Sequence, residues 1–191
     1  MKFEPRGRME EIMNKAELRE GLKRLEAHLE PYDITSVFVE EGEQAVMDSL
    51  VLGLSVSDDL SLDVSCNFVE AQDYGGVIQF FGQLELDGMI EESPEAFTEL
   101  NILRMINTVN RMIAVGQFLY MQDDKEPKNA IGLRYTMRTD LNSEDELEKC
   151  VDTIELLMDS YELLCSMLIL LFEGETVQNA EETLTKIMTE V

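Results

Sequence analysis

One histidine, three cysteines and forty acidic residues are the groups from which this 191-residue chain would have to build a site. His28 stands beside the apolar stripe of a helix, near its C-terminal end, where a protonated ring interacts favourably with the helix dipole. Cys66, Cys150 and Cys165 are odd in number and far apart. They suggest neither a disulfide framework nor a Cys/His pair at metal-ligand spacing. With no G-x-S-x-G elbow and no base set beside a cysteine, nucleophilic catalysis lacks its usual parts. Gly75-Gly76 falls between two strands and not ahead of a helix, so it does not offer a phosphate-cradling loop. Asp58-Asp59 and Asp123-Asp124 have carboxylates for Ca²⁺ but not the alternating ligands, glycine and distal glutamate of a calcium loop. They read as turn residues. No other carboxylate pair is singled out for acid–base work. The expectation is a non-enzyme, with no catalytic, metal or cofactor-binding residues and no cofactor.

Charge narrows the partners. The formal net charge is −25. Residues 1–30 are neutral, with seven Lys/Arg against seven acids, whereas residues 31–103 hold sixteen acids and no Lys or Arg. Such a body repels phosphate backbones, which need Lys and Arg to displace counterions, and anionic lipid surfaces alike. Nucleic acid and membrane are therefore not expected partners. A basic polypeptide fits, although acidity also serves solubility alone. The first helix, neutral to basic, is suited to dock on the acidic remainder. Cys66 on a strand's apolar face and Cys165 on a helix seam behave as small hydrophobes. With no apolar h-region in a start that carries Glu4, Glu10 and Glu11, this places the chain in the cytoplasm.

The elements follow from periodicity. Met9, Ile12, Met13, Ala16, Leu22, Leu25 and Leu29 stripe a helix within 1–30, weakened at Gly21 by roughly 1 kcal/mol relative to alanine. Ile34 to Glu40 reads as a short strand. Val46, Leu50, Leu52, Leu54 and Val56 then alternate with Met47, Ser49, Val51, Gly53 and Ser55. Leu60, Leu62, Val64, Cys66 and Phe68 alternate with Ser61, Asp63, Ser65 and Asn67, and Ile78, Phe80, Leu84 and Leu86 follow. These predict an antiparallel meander. The solvent side of its last strand carries Gln79, Phe81, Gln83 and Glu85, so Phe81 is an aromatic on a face otherwise wet. Ser93-Pro94-Glu95 opens a helix with Phe97, Leu100, Leu103, Ile106 and Ile113 at helical spacing and Ile102, Met105, Val109 and Met112 widening the face. Gly116 breaks into a hairpin whose second strand packs Ile131, Leu133, Tyr135 and Met137.

Ser143 to Glu146 reads as a capping box. The helix behind it carries Leu147, Val151, Ile154, Met158, Tyr161, Cys165, Leu168 and Phe172 at heptad spacing. From Leu163 onward it is apolar on every side, too short to span a membrane yet in need of cover all round. A last helix, 175–191, presents Val177, Ala180, Leu184, Ile187 and Val191. Leu62, Val64, Phe80, Leu103, Ile106, Leu133, Ile154 and Leu168 should share one core. The fold class is α+β: a single domain over 1–191 with its core in 45–172, an antiparallel sheet with helices on one face, in the order α-β-β-β-α-β-β-α plus a short C-terminal helix.

That order resembles the type III secretion chaperone-like fold, and within it the bacterial YbjN-type families, also called sensory transduction regulators. The matching stretch runs from about Leu52 to Phe172. It is carried by Leu100-Asn101 through Asn110 into Val115-Gly116-Gln117-Phe118, then by Gly132-Leu133-Arg134-Tyr135, the Ser143 cap and the long helix. Secretion chaperones of this fold dimerise and hold an extended effector segment without ATP. The resemblance implies a binding module of that kind and no catalytic residue. The C-terminal helix departs from a minimal chaperone. The chain is accordingly expected to be a non-enzymatic interaction module, chaperone-like or regulatory, binding a polypeptide and working as a homodimer. Phe81, Leu163 and Leu170 are its candidate partner surface, and twelve methionines provide an adaptable apolar lining. The alternative is a small-molecule or peptide sensor with an apolar pocket between sheet and helices.

Overall fold

A computed structural model describes residues 15–32, 34–42, 45–57, 60–69, 76–122 and 128–189. Met9, Ile12, Met13, Asp58-Asp59, Asp73-Tyr74-Gly75, Asp123-Asp124 and Val191 lie outside them. The elements are α1 (Lys15–Leu29), a 3-10 turn (Glu30–Tyr32), β1 (Thr35–Val39), β2 (Ser49–Ser57), β3 (Leu60–Val69) and β4 (Val77–Glu85), then α2 (Asp87–Glu92) and α3 (Glu99–Met112), then β5 (Gln117–Gln122), β6 (Asn129–Arg138), α4 (Glu144–Phe172) and α5 (Val177–Thr189). Six strands make one antiparallel sheet in the order β1-β2-β3-β4-β6-β5. The class is α+β as expected; β1 is the short strand read at Ile34 to Glu40, which makes four strands between α1 and α3, and α2 is an added short helix.

Period-two alternation sorts the sheet into two faces. Register pairs Leu50 with Cys66, Cys66 with Phe80, Phe80 with Tyr135 and Leu133 with Phe118, so these side chains share one face. Leu50, Leu52, Leu62, Val64, Ile78, Phe80, Ile131 and Leu133 are buried there, against Leu25, Ile106, Ile154, Tyr161 and Leu168 from the helices. Of the eight expected core residues, seven are buried, and Leu103 is 43% exposed. The expected face runs through Phe97, Leu100, Leu103, Ile106 and Ile113, with Ile102, Met105, Val109 and Met112 widening it. Steps of three drift across a helix turning about 100° per residue, so its widened side is the one that is covered. The face actually covered is Ile102, Met105, Ile106 and Val109.

That helix also starts later than Ser93. Thr98 is its N-cap, accepting from the Asn101 N–H at 3.3 Å. Ser93 ends α2, and its carbonyl accepts from Ala96 and Phe97 in a turn. At α4 half of the capping box forms. Ser143 Oγ accepts from the Glu146 N–H at 3.3 Å, but the Glu146 carboxylate is held by Lys149 Nζ at 2.6 Å. Strand β2 begins at Ser49, and Val46, expected on its packed side, is 91% exposed.

Charge docks α1, as its basic composition suggests. Arg19 donates two hydrogen bonds to Asp48, at 3.0 and 3.1 Å, and meets Glu40 at 2.7 Å. Lys15 pairs with Glu41. Arg24 donates to the Leu141 carbonyl at 3.1 Å and to Asn142 Oδ1 at 2.6 Å. Leu141 is fully buried with φ of 54°, a left-handed conformation that costs a non-glycine residue about 1–3 kcal/mol. A Cβ on Gly21 would stand 3.3 Å from Leu141 Cβ. Gly21, which the sequence shows only as a weak point in the helix, is therefore the notch into which Leu141 fits.

Candidate binding surfaces

A groove lies between α3 and α5. Chain direction at its floor is set by the end of α4, where Gly174 has φ of +94°. The Gly174 N–H reaches the Leu171 carbonyl and the Glu175 N–H the Leu170 carbonyl, each at 3.0 Å, the two bonds of a Schellman turn. Thr176 then caps α5, its Oγ1 accepting from the Asn179 N–H at 3.2 Å. Ala180 and Leu184 bury inward, which leaves Gln178, Glu181, Thr185 and Lys186 on the groove wall. Burial of Ile102, Met105 and Val109 turns Asn101, Arg104, Thr108 and Arg111 of α3 to the opposite wall. The space has a volume of about 1650 Å³. Arg111 spans it to Glu181 at 2.9 Å and touches Thr108 Oγ1 at 3.3 Å. Nothing in the sequence marks this groove beyond Gly174 and Thr176, which close one helix and open the next.

The second surface is the sheet face without helices. Thr35, Val37 and Val39 stand on it with Val51, Ser65, Phe81, Arg134 and Gln117, as the register Val37–Val51–Ser65–Phe81–Arg134–Gln117 requires. Val37 is 57% exposed. Phe81 is half-buried because it leans over Gly132. A Cβ there would lie 2.8 Å from Met121 Sδ and 3.5 Å from Phe81 Cε2, so the two side chains fill the space that glycine leaves.

Leu163 and Leu170 lie on α4, across the sheet from Phe81, so the three candidate partner residues do not form one surface. Both are half-buried and pack on the core, while Leu156, Ile169 and Phe172 are the more exposed apolar residues of that helix. The Phe172 ring lies 6.4 Å from that of Phe97. Among the described residues, no helix is long and apolar enough to cross a membrane.

The chemically able side chains are engaged or buried. His28 Nε2 lies 3.2 Å from Glu148, its Nδ1 3.5 Å from Glu144, and Tyr32 donates to Glu148 at 3.0 Å. The cluster staples the end of α1 to the start of α4. All three cysteines are buried and free. Burial pushes the Cys66 thiol well up, the Cys150 thiol to about 12, and that of Cys165 up as well. Thiols held protonated are poor nucleophiles. Tyr161 is fully buried, with no geometric hydrogen-bond partner for its hydroxyl among the described residues, and burial, with the neighbouring Cys165, drives its ionisation up.

No family model matches the chain, and no curated protein matches it. Among solved structures it is similar to the crystal structure of YbjN, "a putative transcription regulator from E. coli", with a TM-score of 0.48 and 11% identity, covering 74% of this chain and 88% of that one. A likeness of that strength assigns neither family nor function.

Proposed function

We propose that this chain is a non-enzymatic polypeptide-binding module, chaperone-like or regulatory in use. The groove between α3 and α5 carries the reading. Its volume of about 1650 Å³ exceeds the ~300–1,000 Å³ of small-molecule sites, and the Arg111–Glu181 pair bridges it. Its walls offer amides, hydroxyls and charges able to meet a peptide backbone. The space between sheet and helices, where a sensor pocket was the alternative, is filled by fully buried Leu50, Val64, Phe80 and Ile154. Against catalysis stand the protonated, buried thiols and a histidine already held by two carboxylates. The free thiols suit a reducing compartment such as the cytoplasm. The chain's acidity makes nucleic acid a poor ligand.

An array of unrelated peptides, probed with the protein and with the variant Thr185→Trp, tests this. Thr185 is exposed on the groove wall, so the indole obstructs the groove without entering the core. Binding to a subset of peptides that weakens by roughly tenfold or more in the variant is expected. Binding to none, or binding unchanged by the variant, overturns the assignment.

A further inference from the structure

We infer that the helix-free face of the sheet takes a second copy of this chain. The inference is independent of the groove and rests on where charge is missing. The chain carries −25, and α4 alone holds eight acids against Lys149. On the open face, however, the charged strand residues are Asp63 and Glu85 on one side of the count and Arg134 and Arg138 on the other. That face is neutral. Two copies of a strongly acidic protein repel less along this approach, where the facing strand charges balance and more distant ones are screened beyond about 10 Å at ordinary salt.

The face is also self-complementary, as a twofold interface must be. An axis parallel to the strands and between β3 and β4 sets β3 of one copy above β4 of the other, β2 above β6 and β1 above β5, with the two Phe81 rings side by side across it. Asp63 on β3 then comes within diagonal reach of Arg134 on β6, and the same pair forms again on the other side of the axis. Arg134 has no ion pair among the described residues, so it is available. Val37, Val51, Phe81, Leu119 and Met121 supply the apolar contact. Aligned packing of two sheets about 10 Å apart is the ordinary β-sandwich arrangement. Five inter-strand spacings of about 4.8 Å by about 20 Å of strand give roughly 500 Å² per copy. Doubled, that is near the ~1,000 Å² at which a specific interface begins. That area places the dimer at the small, reversible end of specific interfaces. A basic partner would instead seek the acidic helices.

Light scattering after size exclusion, from low to high micromolar protein, reads the assembly. The wild type should shift from monomer to dimer mass. Phe81→Glu and Val37→Glu should each weaken it by roughly tenfold or more, and Ile169→Glu on α4 should not. Val37 is 57% exposed, so its variant folds even where that of Phe81 does not. Asp63→Arg and Arg134→Asp should each weaken the dimer, and the double exchange should restore it, a rescue that a merely structural role would not give. Monomer mass at every concentration overturns the inference. So does a dimer lost in Ile169→Glu but kept in Val37→Glu, or a charge exchange that fails to rescue.

Discussion

Phe80 and Phe81 are neighbours in sequence and face opposite environments. Phe80 has no exposed surface and lies among Cys66, Ile78 and Tyr135 beneath the helices, whose outer sides carry the chain's acids. Phe81 lies over Gly132 on a face that is neutral and open. The helix side keeps the fold, through apolar burial inside and charge outside. The open side contributes little burial within one chain, which frees its side chains for contact with something else. The pleat is what separates the two roles, because one residue's step reverses the face.

The largest break in that comparison is Phe80→Ala. Removing a fully buried aromatic should cost about 3–5 kcal/mol, and Leu168→Ala on α4 about 2–5 kcal/mol. Phe81→Ala, measured below the concentration of association, should cost less than about 1.5 kcal/mol. Denaturant unfolding compares them directly. Equal losses at 80 and 81 would mean that the open face is packed by something within the chain.

The alternation that separates the faces was legible because it is local. Leu62, Val64, Cys66 and Phe68 declare a half-covered strand with no knowledge of their partners. What covers the helices was not legible. Leu103 and Ile106 are equally apolar, and only the placement of β5 and α4 decides that one is exposed and the other buried. The Thr98 cap lost to Ser93-Pro94 in the sequence because both are good start signals, and α2 uses up the first. The groove was invisible since its walls are ordinary polar residues from segments some seventy positions apart, as Arg111 and Glu181 are. Of the candidate partner residues, Phe81 was legible as the odd aromatic in a polar row, whereas Leu163 and Leu170 needed the tertiary structure to show them half-covered.

The next effect tests how α1 is held on the helix side. Gly21→Val should cost about 1–3 kcal/mol, because a branched side chain enters the space of a fully buried Leu141 that has nowhere to move. A stabilised variant, as expected from helix propensity alone, would show that the notch is not needed.

The pair of Arg19 and Asp48 gives a pH-dependent version. Hydrogen bonds from Arg19, with a further one from the Glu41 N–H at 2.8 Å, hold the Asp48 carboxyl below its ordinary range. A carboxyl whose folded pKa is depressed contributes stability that is present above the unfolded value, about 4, and is lost as pH falls through the folded value. The melting temperature of Asp48→Asn should therefore lie below the wild type at neutral pH. The gap should close as pH drops under about 4. A gap constant across that window would mean that Asp48 acts by shape and not by charge.

The smallest effect concerns the acids themselves. Glu148, Asp152, Glu155, Asp159 and Glu162 follow one another along α4 at spacings of three and four, on its solvent side. Like charges at those spacings repel by about 0.2–0.5 kcal/mol per pair. Dipole interactions offset this only near the first turn, where Glu144, Asp145 and Glu146 already stand. Changing Asp152, Glu155 and Asp159 to their amides removes four such repulsions, so the triple variant should melt higher than the wild type at low salt. The gain should shrink as salt shortens the Debye length toward the spacing of the charges. The same variant should leave association through the open face unchanged at high salt, since none of the three residues lies there. A triple variant that melts lower at low salt would show that these carboxylates are paired in solution, and that the acidic side of the comparison is held together by its charges instead of strained by them.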